Sequence, residues 1–282
     1  MKIGIIPINI GVQSADQVVK MAQLAESLGY ESVWTFEHVI VPVNYDSKYP
    51  YNKSGNMGAA PETNFVDPLI ALAAVAASTT TLRLATGVNI LSQVNPIYMA
   101  KQAASLDFMS GGRFMLGVGI GWLREEFEAL GVPFERRGAR FDDYVAGMRK
   151  IWSGDVVEHE SDFISWQGFK SYPLPIQTPF PVVMGGVAGK IFQRTAQLGN
   201  DWFAPTGDPT ELRGHIESLR NECDAIGRDL SEIEITCMWP GMGGKDFLQE
   251  LTAIGVGRVV MPMMGDGDPV ERMSQIAEQV IA

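Results

Sequence analysis

Short apolar segments alternate with longer amphipathic ones along the chain, and this alternation constrains the fold more than any other feature. The short segments are rich in β-branched residues and have the length of buried strands, whereas the longer ones show helical periodicity. The predicted strands are Lys2–Ile6, Ser32–Phe36, Leu82–Ile90, Phe114–Val118, Pro181–Met184, Asp201–Phe203, Ile233–Met238 and Arg258–Met261. The predicted helices are Ser14–Leu28, Pro68–Ser78, Pro96–Met109, Gly138–Ser153, Gly189–Leu198, Pro209–Ile226, Lys245–Ala253 and Pro269–Ile281.

A repeated strand, helix, strand order predicts parallel pairing through right-handed helical crossovers. Eight such units in 282 residues give about 35 residues each, which is typical of a closed (β/α)8 barrel rather than an open doubly wound sheet. No linker separates a second domain, so the sequence predicts an α/β fold with one TIM-barrel domain over residues 1–282. Catalytic groups in such a barrel lie at the C-terminal ends of the strands.

Two connections are longer than ordinary loops, and we expect them to be functional insertions. The first, Val39–Phe65, follows strand 2 and contains three tyrosines and three prolines. The second, Asp155–Thr178, precedes strand 5 and contains four aromatic residues. We expect both insertions to cover the catalytic face of the barrel.

The charge balance argues against several classes of partner. The chain has 22 lysine and arginine residues against 33 aspartate and glutamate residues, a net charge of −11, so we expect no nucleic-acid or anionic membrane partner. No apolar stretch approaches the ~20 residues that span a bilayer, and the first residues lack a signal-peptide pattern. Cys223 and Cys237 have neither disulfide nor metal-ligand spacing. These features predict a cytoplasmic protein with reduced cysteines.

A glycine-rich segment, Gly117-Val118-Gly119-Ile120-Gly121, ends strand 4. It is not a dinucleotide fingerprint, because the sixth position of that motif requires glycine and is Trp122 here. The glycines indicate either a close approach of the backbone to a ligand or a tight turn without one.

A second glycine-rich segment, Gly185-Gly186-Val187-Ala188-Gly189, follows strand 5 and leads into a helix. Free N–H groups at a helix N-terminus can bind a phosphate with little help from side-chain charge. Such a site suits an acidic protein, although an ordinary loop between strand and helix would have the same pattern.

The pair Glu37-His38 closes strand 2, where barrel strands present catalytic groups. The alternative is a histidine whose nitrogens bond only to backbone carbonyls. His159 and His215 lie in an insertion and on a helix, and we expect both at the surface. No histidine, cysteine or carboxylate cluster has metal-ligand spacing, so we predict no metal site.

Several longer segments carry a family resemblance that extends from Ile3 to the last helix. They are Ser32–His38, Thr81–Leu91, Asn95-Pro96, Asp107–Gly119, Gly121-Trp122, Glu126–Val132 and Arg137–Asp142. Together they resemble the bacterial luciferase-like superfamily. The resemblance implies a (β/α)8 barrel that binds a flavin or a deazaflavin at the C-terminal face.

The branch is indicated by Gly121, Trp122, Glu126 and Phe127, whose arrangement is similar to that of the coenzyme F420-dependent oxidoreductases. Luciferase has an arginine near the phosphate where this chain has Ile120, which weakens a luciferase-type FMN site. F420-dependent sugar phosphate dehydrogenases have a catalytic glutamate at the position of Trp122, so that reaction is not expected.

The resemblance also implies the site residues. His38 and Glu37 are the implied catalytic residues, with His38 beside the reactive end of the cofactor. Gly87-Val88 corresponds to the family's non-prolyl cis peptide, which supports one face of the ring. The implied cofactor-binding residues are His38, Gly87, Val88, Asn89, Gly117, Gly119, Gly121, Met184, Gly185, Gly186, Val187, Ala188 and Gly189.

The substrate chamber is predicted to be lined by Phe36, Trp122 and Trp239 under the insertion Val39–Phe65, unless these rings are simply core residues. The first functional hypothesis is an F420-dependent oxidoreductase that transfers a hydride between the deazaflavin and a small organic substrate. The second is an FMN-dependent monooxygenase that receives reduced flavin from a separate reductase, and the third is a non-enzymatic flavin or deazaflavin carrier. The family resemblance also favours a homodimer.

Overall fold

A closed barrel of parallel strands forms the centre of the protein in the computed structural model, which describes residues 1–265 and 267–281. The strands of these residues are β1 (Lys2–Ile6), β2 (Ser32–Thr35), β3 (Arg83–Thr86), β4 (Asn89–Ile90), β5 (Phe114–Gly119), β6 (Val157–Glu160), β7 (Ser165–Phe169), β8 (Val182–Gly185), β9 (Asp201–Ala204), β10 (Glu234–Met238) and β11 (Arg258–Pro262).

Eight of these strands form the barrel in the order β1, β2, β3, β5, β8, β9, β10 and β11, and every neighbouring pair is parallel. β11 pairs with β1, with Lys2 opposite Arg258, and β3 pairs with β5, with Leu84 opposite Phe114. The sheet therefore has no free edge within the barrel. The predicted α/β fold, a (β/α)8 TIM barrel with insertions after strand 2 and before strand 5, is confirmed.

Helices surround the barrel. In the described part of the chain they are α1 (Ala15–Ser27), α2 (Pro68–Ser78), α3 (Pro96–Ser110), α4 (Arg124–Ala129), α5 (Arg137–Ile151), α6 (Ile191–Leu198), α7 (Pro209–Ile226), α8 (Gly244–Ala253) and α9 (Pro269–Val280). The predicted helices agree within two residues at each end, because their caps are visible in the sequence: Ser14 caps α1, and Asp208 and Asp268 each precede a helix-starting proline. Among the α-helices of the described residues, α4 alone was not predicted. No helix among residues 1–265 and 267–281 is long and apolar enough to cross a bilayer.

The barrel interior is filled by one apolar side chain from each of seven strands. These residues form a cluster separate from the larger core between the strands and the helices; they are Ile6, Trp34, Ala85, Met115, Val183, Phe203 and Val260. Three half-buried residues, Phe36, Val88 and Met238, pack against this cluster. Each lies at or just beyond the C-terminal end of its strand, so together they form the floor of the barrel mouth.

The third barrel strand is interrupted, whereas the sequence predicts one continuous strand from Leu82 to Ile90. The structure has β3 and β4 separated by Gly87 and Val88, and the peptide bond between these two residues is cis. The predicted cis bond is therefore confirmed, and the prediction of an unbroken strand is wrong, since strand pairing stops at Thr86 and resumes at Asn89.

The second insertion packs along the outside of α5, from the N-terminal end of the barrel to Arg136, which pairs with Asp162 at 2.7 Å. This position corrects the prediction that both insertions cover the catalytic face. The segment after β2 covers the mouth, as described below. In the second insertion, β6 and β7 form an antiparallel hairpin on α5, where His159 is buried rather than at the surface as predicted and bonds to Asp143. Its last residues meet the N-terminal ends of the strands, since Gln177 bonds to Arg83 and to the carbonyl of Phe114. A connection from a helix to the next strand must start at that end of a barrel.

Candidate active site

Val88 stands in the barrel mouth between β5 and β8. A side-chain carbon on Gly119 would lie 2.7 Å from Val88 Cγ2, and one on Gly185 would lie 2.5 Å from Val88 Cγ1. A side chain on Gly117 would overlap the carbonyl oxygen of Thr86. The protein's own packing therefore requires glycine at these three positions: Gly119 and Gly185 make room for the Val88 side chain, and Gly117 makes room for the Thr86 carbonyl.

Glu37 lies buried beneath β4 and fastens it to the end of β2. Its Oε1 accepts a hydrogen bond from Asn89 Nδ2 at 2.7 Å, and its Oε2 accepts one from the backbone N–H of Ile90. Burial, together with the nearby charge of Glu126, raises the pKa of Glu37 to about 7, although the two donors partly offset the shift. Both oxygens of Glu37 are thus engaged within the protein, and the side chain supports the segment that carries Val88.

His38 faces the mouth beside Trp122 and is held by a carboxylate from α4. Its Nδ1 lies 3.1 Å from Glu126 Oε2, and its side chain is only 11% exposed. The ring makes edge contacts with Phe65 at 5.8 Å and with Trp122 at 6.0 Å between centroids. His38 is therefore not the backbone-bonded core histidine of the alternative interpretation. Its Nε2 has no hydrogen-bond partner in the described part of the chain.

The insertion after β2, residues 39–65, forms a lid over the mouth. Tyr45 and Tyr49 contact the Trp122 ring, with centroid distances of 5.9 Å and 5.2 Å. Tyr51 reaches the loop after β8, because a side-chain carbon on Gly186 would lie 3.0 Å from the Tyr51 hydroxyl. The lid therefore extends from β2 to β8, and Trp122 lies beneath its tyrosines.

Two neighbouring glutamates of α4 hold the lid. Glu125 Oε1 accepts hydrogen bonds from the backbone N–H groups of Asp46 and Ser47, at 2.7 Å and 3.1 Å. Glu126 Oε1 accepts bonds from the N–H groups of Val39 and Ile40, at 2.6 Å and 3.2 Å. Glu126 lies within the family-like segment Glu126–Val132, but its sequence context predicts no role for it. Its role depends on contact between α4 and the lid, which are far apart in the sequence, so no local sequence pattern reveals it.

The loop after β8 combines used and unused backbone donors. The Gly186 N–H donates to the Phe203 carbonyl at 3.2 Å, and the Gly186 carbonyl accepts from the Trp202 indole at 2.8 Å. The N–H groups of Val187, Ala188 and Gly189 have no acceptor among residues 1–265 and 267–281. Three of the predicted phosphate-binding amides are therefore available, and that of Gly186 is already bonded.

Two predicted site residues lie elsewhere. Trp239 was expected to line the substrate chamber, but it is 0% exposed in the outer core and its indole N–H donates to the Met242 carbonyl. The Met184 side chain is also buried in the outer core, so it does not face the mouth. Both errors have one cause, because side chains alternate between the two faces of a strand and the sequence does not show which face is inside. Phe36 lies on the floor of the mouth.

Comparison with known proteins agrees with this architecture. A family model described as luciferase-like monooxygenase matches residues 6–240. The chain belongs to the luciferase-like monooxygenase family. Members of this family are oxidoreductases and monooxygenases that depend on F420 or FMN.

The luciferase-like chain has relatives in mycobacteria and in pseudomonads. It is 32% identical over 274 residues to an uncharacterised protein of Mycobacterium bovis, covering 94% of each chain. It is 26% identical to the FMNH2-dependent dimethylsulfone monooxygenase of Pseudomonas putida, covering 74% of this chain and about half of that protein, 53%. Its fold matches the coenzyme F420-dependent tetrahydromethanopterin reductase of Methanopyrus kandleri with a TM-score of 0.78, 16% identity, and coverage of 99% and 98% of the two chains.

Proposed function

We propose that this protein is an F420-dependent oxidoreductase that transfers a hydride between the deazaflavin and a small organic substrate. The observation that carries the proposal is the position of the segment typical of the F420 branch. Trp122 contacts His38, Glu126 Oε2 lies 3.1 Å from His38 Nδ1, and Gly121 packs against Phe127. Trp122 and Glu126 thus flank one titratable side chain at the barrel mouth, and Gly121 and Phe127 pack against each other.

The residues present fit a planar ring with an anionic tail. Val88 offers an apolar support on the barrel floor, and the buried Asn89 Oδ1 beside it has no partner in the described residues, as an acceptor awaiting a ring N–H would. The unpaired N–H groups of Val187 to Gly189 can bind a phosphate without a cationic side chain. A deazaflavin, when bound, supplies hydride transfer without activation of oxygen.

His38 would move the proton that accompanies the hydride. With its Nδ1 donating to Glu126, its Nε2 can accept a proton from a substrate hydroxyl or return it in the reverse direction. Glu37 supports the ring-bearing segment through Asn89 and Ile90, and we assign it this positioning role in place of direct proton transfer.

The substrate side of the mouth favours an apolar or conjugated molecule. Phe36 on the floor and Trp122 beneath the lid tyrosines offer ring faces, and burial raises the pKa of Tyr49, which keeps its hydroxyl neutral. The lid over these groups would exclude water from the transferred hydride.

Titration with F420 and with FMN tests the cofactor. We expect F420 to bind at least about tenfold more tightly than FMN, which corresponds to about 1.4 kcal/mol.

In the loaded enzyme, His38→Ala should slow hydride transfer about 100-fold or more, with a much smaller change in F420 affinity. His215→Ala, in a half-buried histidine on α7, is the control and should leave the rate unchanged. An unaltered rate in His38→Ala would remove this residue from the chemistry.

The second candidate is an FMN-dependent monooxygenase, favoured by the identity with the dimethylsulfone monooxygenase. It predicts tighter binding of reduced FMN than of F420 and consumption of oxygen with a substrate. Tight cofactor binding without turnover over a broad substrate panel would instead support the carrier hypothesis.

We also propose a cytoplasmic homodimer. Both cysteines are free and buried. The neighbouring helices α2 and α3 expose large apolar side chains, namely Ile70, Tyr98, Phe108 and Met109. The double variant Ile70→Glu and Tyr98→Glu should lower the mass measured by light scattering from two subunits to one. A wild-type mass of one subunit would contradict the dimer.

A further inference from the structure

Glu126 is the most completely buried carboxylate at the barrel mouth. Its residue is 1% exposed, and its two oxygens have different partners. Oε1 accepts from the backbone N–H groups of Val39 and Ile40, the first two residues of the lid, whereas Oε2 faces His38 Nδ1 at 3.1 Å. One carboxylate therefore joins the start of the lid to the candidate catalytic histidine.

This geometry fixes which ring nitrogen carries the proton in neutral His38. An ionised carboxylate only accepts hydrogen bonds, so the nitrogen that faces it must be the donor. An ionised Glu126 would therefore select the Nδ1–H tautomer and leave the lone pair on Nε2, which has no partner in the described residues. The alternative tautomer would set a lone pair against Glu126.

We propose that Glu126 is a positioning residue, which holds His38 as the Nδ1–H tautomer so that Nε2 can exchange a proton with the substrate. Its catalytic meaning rests on the proposed function, whereas the tautomer itself does not. Because Glu126 Oε1 accepts hydrogen bonds from the first lid residues, the carboxylate can hold the Nδ1–H tautomer of His38 only while those lid residues stay in place.

Replacement of Glu126 by glutamine should reverse the tautomer of His38. The two backbone N–H donors of Val39 and Ile40 require an acceptor, so the carbonyl oxygen of the new side chain must take the place of Oε1. Its NH2 group then faces His38 Nδ1 and donates to it. Nδ1 must become the acceptor, and the ring must switch to the Nε2–H tautomer while the lid bonds remain.

The adjacent glutamate provides a matched control. Glu125 is also on α4 and also accepts two lid N–H groups, from Asp46 and Ser47, but it makes no hydrogen bond to His38. Glu125→Gln therefore tests an effect on the lid alone. Glu126→Asp keeps an acceptor-only side chain and should preserve the Nδ1–H tautomer.

The test is nitrogen-15 NMR of the histidine rings in the cofactor-free protein, above the pH at which the imidazoles are charged. The chain has three histidines, so His38→Asn identifies the signal. We expect the Nδ1–H tautomer of His38 in the wild type, Glu125→Gln and Glu126→Asp, and the Nε2–H tautomer in Glu126→Gln. A wild-type Nε2–H tautomer, or an unchanged tautomer in Glu126→Gln, would overturn the inference.

Kinetics of the F420-loaded enzyme complete the test. Glu126→Gln should lower kcat about 100-fold with little change in the KM for F420, whereas Glu125→Gln should lower kcat far less. A switched tautomer with an unchanged kcat would refute the positioning role. If neither the wild type nor any variant turns over with F420, the proposed function fails. The nitrogen-15 NMR spectra of the cofactor-free protein still determine the tautomer in that case.

Discussion

At the scale of single residues, the site depends on two buried glutamates that perform different tasks. Glu126 faces His38 and the lid, and Glu37 faces the segment that carries Val88. For Glu37, the structure indicates a role different from the one that the sequence predicts. Its place beside His38 in the chain suggests a shared catalytic role, but its side chain lies under β4 and binds Asn89 and Ile90.

The raised pKa of Glu37 predicts a dependence of stability on pH. Its pKa in the folded protein is about 7, above the ordinary value of a glutamate, so the folded state retains a proton that the unfolded state has released. The free energy of unfolding should therefore fall as pH rises from 5 to 8, by about 2–3 kcal/mol from this group. Urea unfolding at several pH values measures this decrease.

The control for this dependence is Glu37→Gln, which has no charge to bury. If the Asn89 amide turns over, its currently unpaired Oδ1 can accept from the new amide while the Ile90 N–H keeps an acceptor. The variant should lose the Glu37 part of the pH slope. Equal slopes in the two proteins would show that Glu37 is ionised throughout this range.

At the scale of elements, the interrupted third strand organises the mouth. Gly119 on β5 and Gly185 on β8, the next two strands of the barrel, leave space that the Val88 side chain fills. The sequence predicts the cis bond through family resemblance, but it predicts an unbroken strand, since an apolar β-branched run contains no signal for the break. It likewise misses α4, whose six residues are too short for a helical period to be recognised.

The packing around Val88 predicts a rescue. Gly185→Ala places a methyl group about 2.5 Å from Val88 Cγ1 and should lower the free energy of unfolding by about 1–3 kcal/mol. Val88→Ala removes the clashing methyl groups. Gly185→Ala should therefore lower the free energy of unfolding less in the Val88→Ala background than in the wild type. Chemical denaturation of all four proteins gives the coupling.

Gly214→Ala is the comparison for this pair, because Gly214 lies within α7 with open space around it. It should raise the free energy of unfolding by about 0.5–1 kcal/mol through helix propensity. Additive losses in Gly185→Ala and Val88→Ala would contradict direct contact between them.

At the scale of the whole molecule, the two ends of the barrel have separate roles. The C-terminal end carries His38, the lid and the loop after β8. The N-terminal end is held by buried ion pairs, in which Arg258 bonds to Asp201 at 2.6 Å and to Glu31 at 3.0 Å. The eight-unit pattern of the sequence predicts this division. The placement of the second insertion follows only when each loop is classified as strand-to-helix or helix-to-strand, because the two kinds start at different ends of the barrel.

This division predicts that stability and cofactor binding can be changed separately. Arg258→Leu leaves Asp201 buried without its cation and should lower the free energy of unfolding by about 3–5 kcal/mol. The affinity for F420, measured well below the unfolding temperature, should remain within about twofold, because the substitution lies at the opposite end of the barrel. Arg213→Leu, which removes an exposed ion pair with Glu250, should change little. A large loss of affinity in Arg258→Leu would show that the two ends are coupled.

We propose that a deazaflavin ring lies across the barrel mouth on Val88, beside His38 and under the lid. A crystal structure of the protein with F420 tests it most directly. We expect the ring in van der Waals contact with Val88, His38 Nε2 facing its reactive edge, and the phosphate on the N–H groups of Val187 to Gly189. Density for the ring at another surface, such as the groove of about 530 Å³ between α1 and the end of the lid, would contradict the claim.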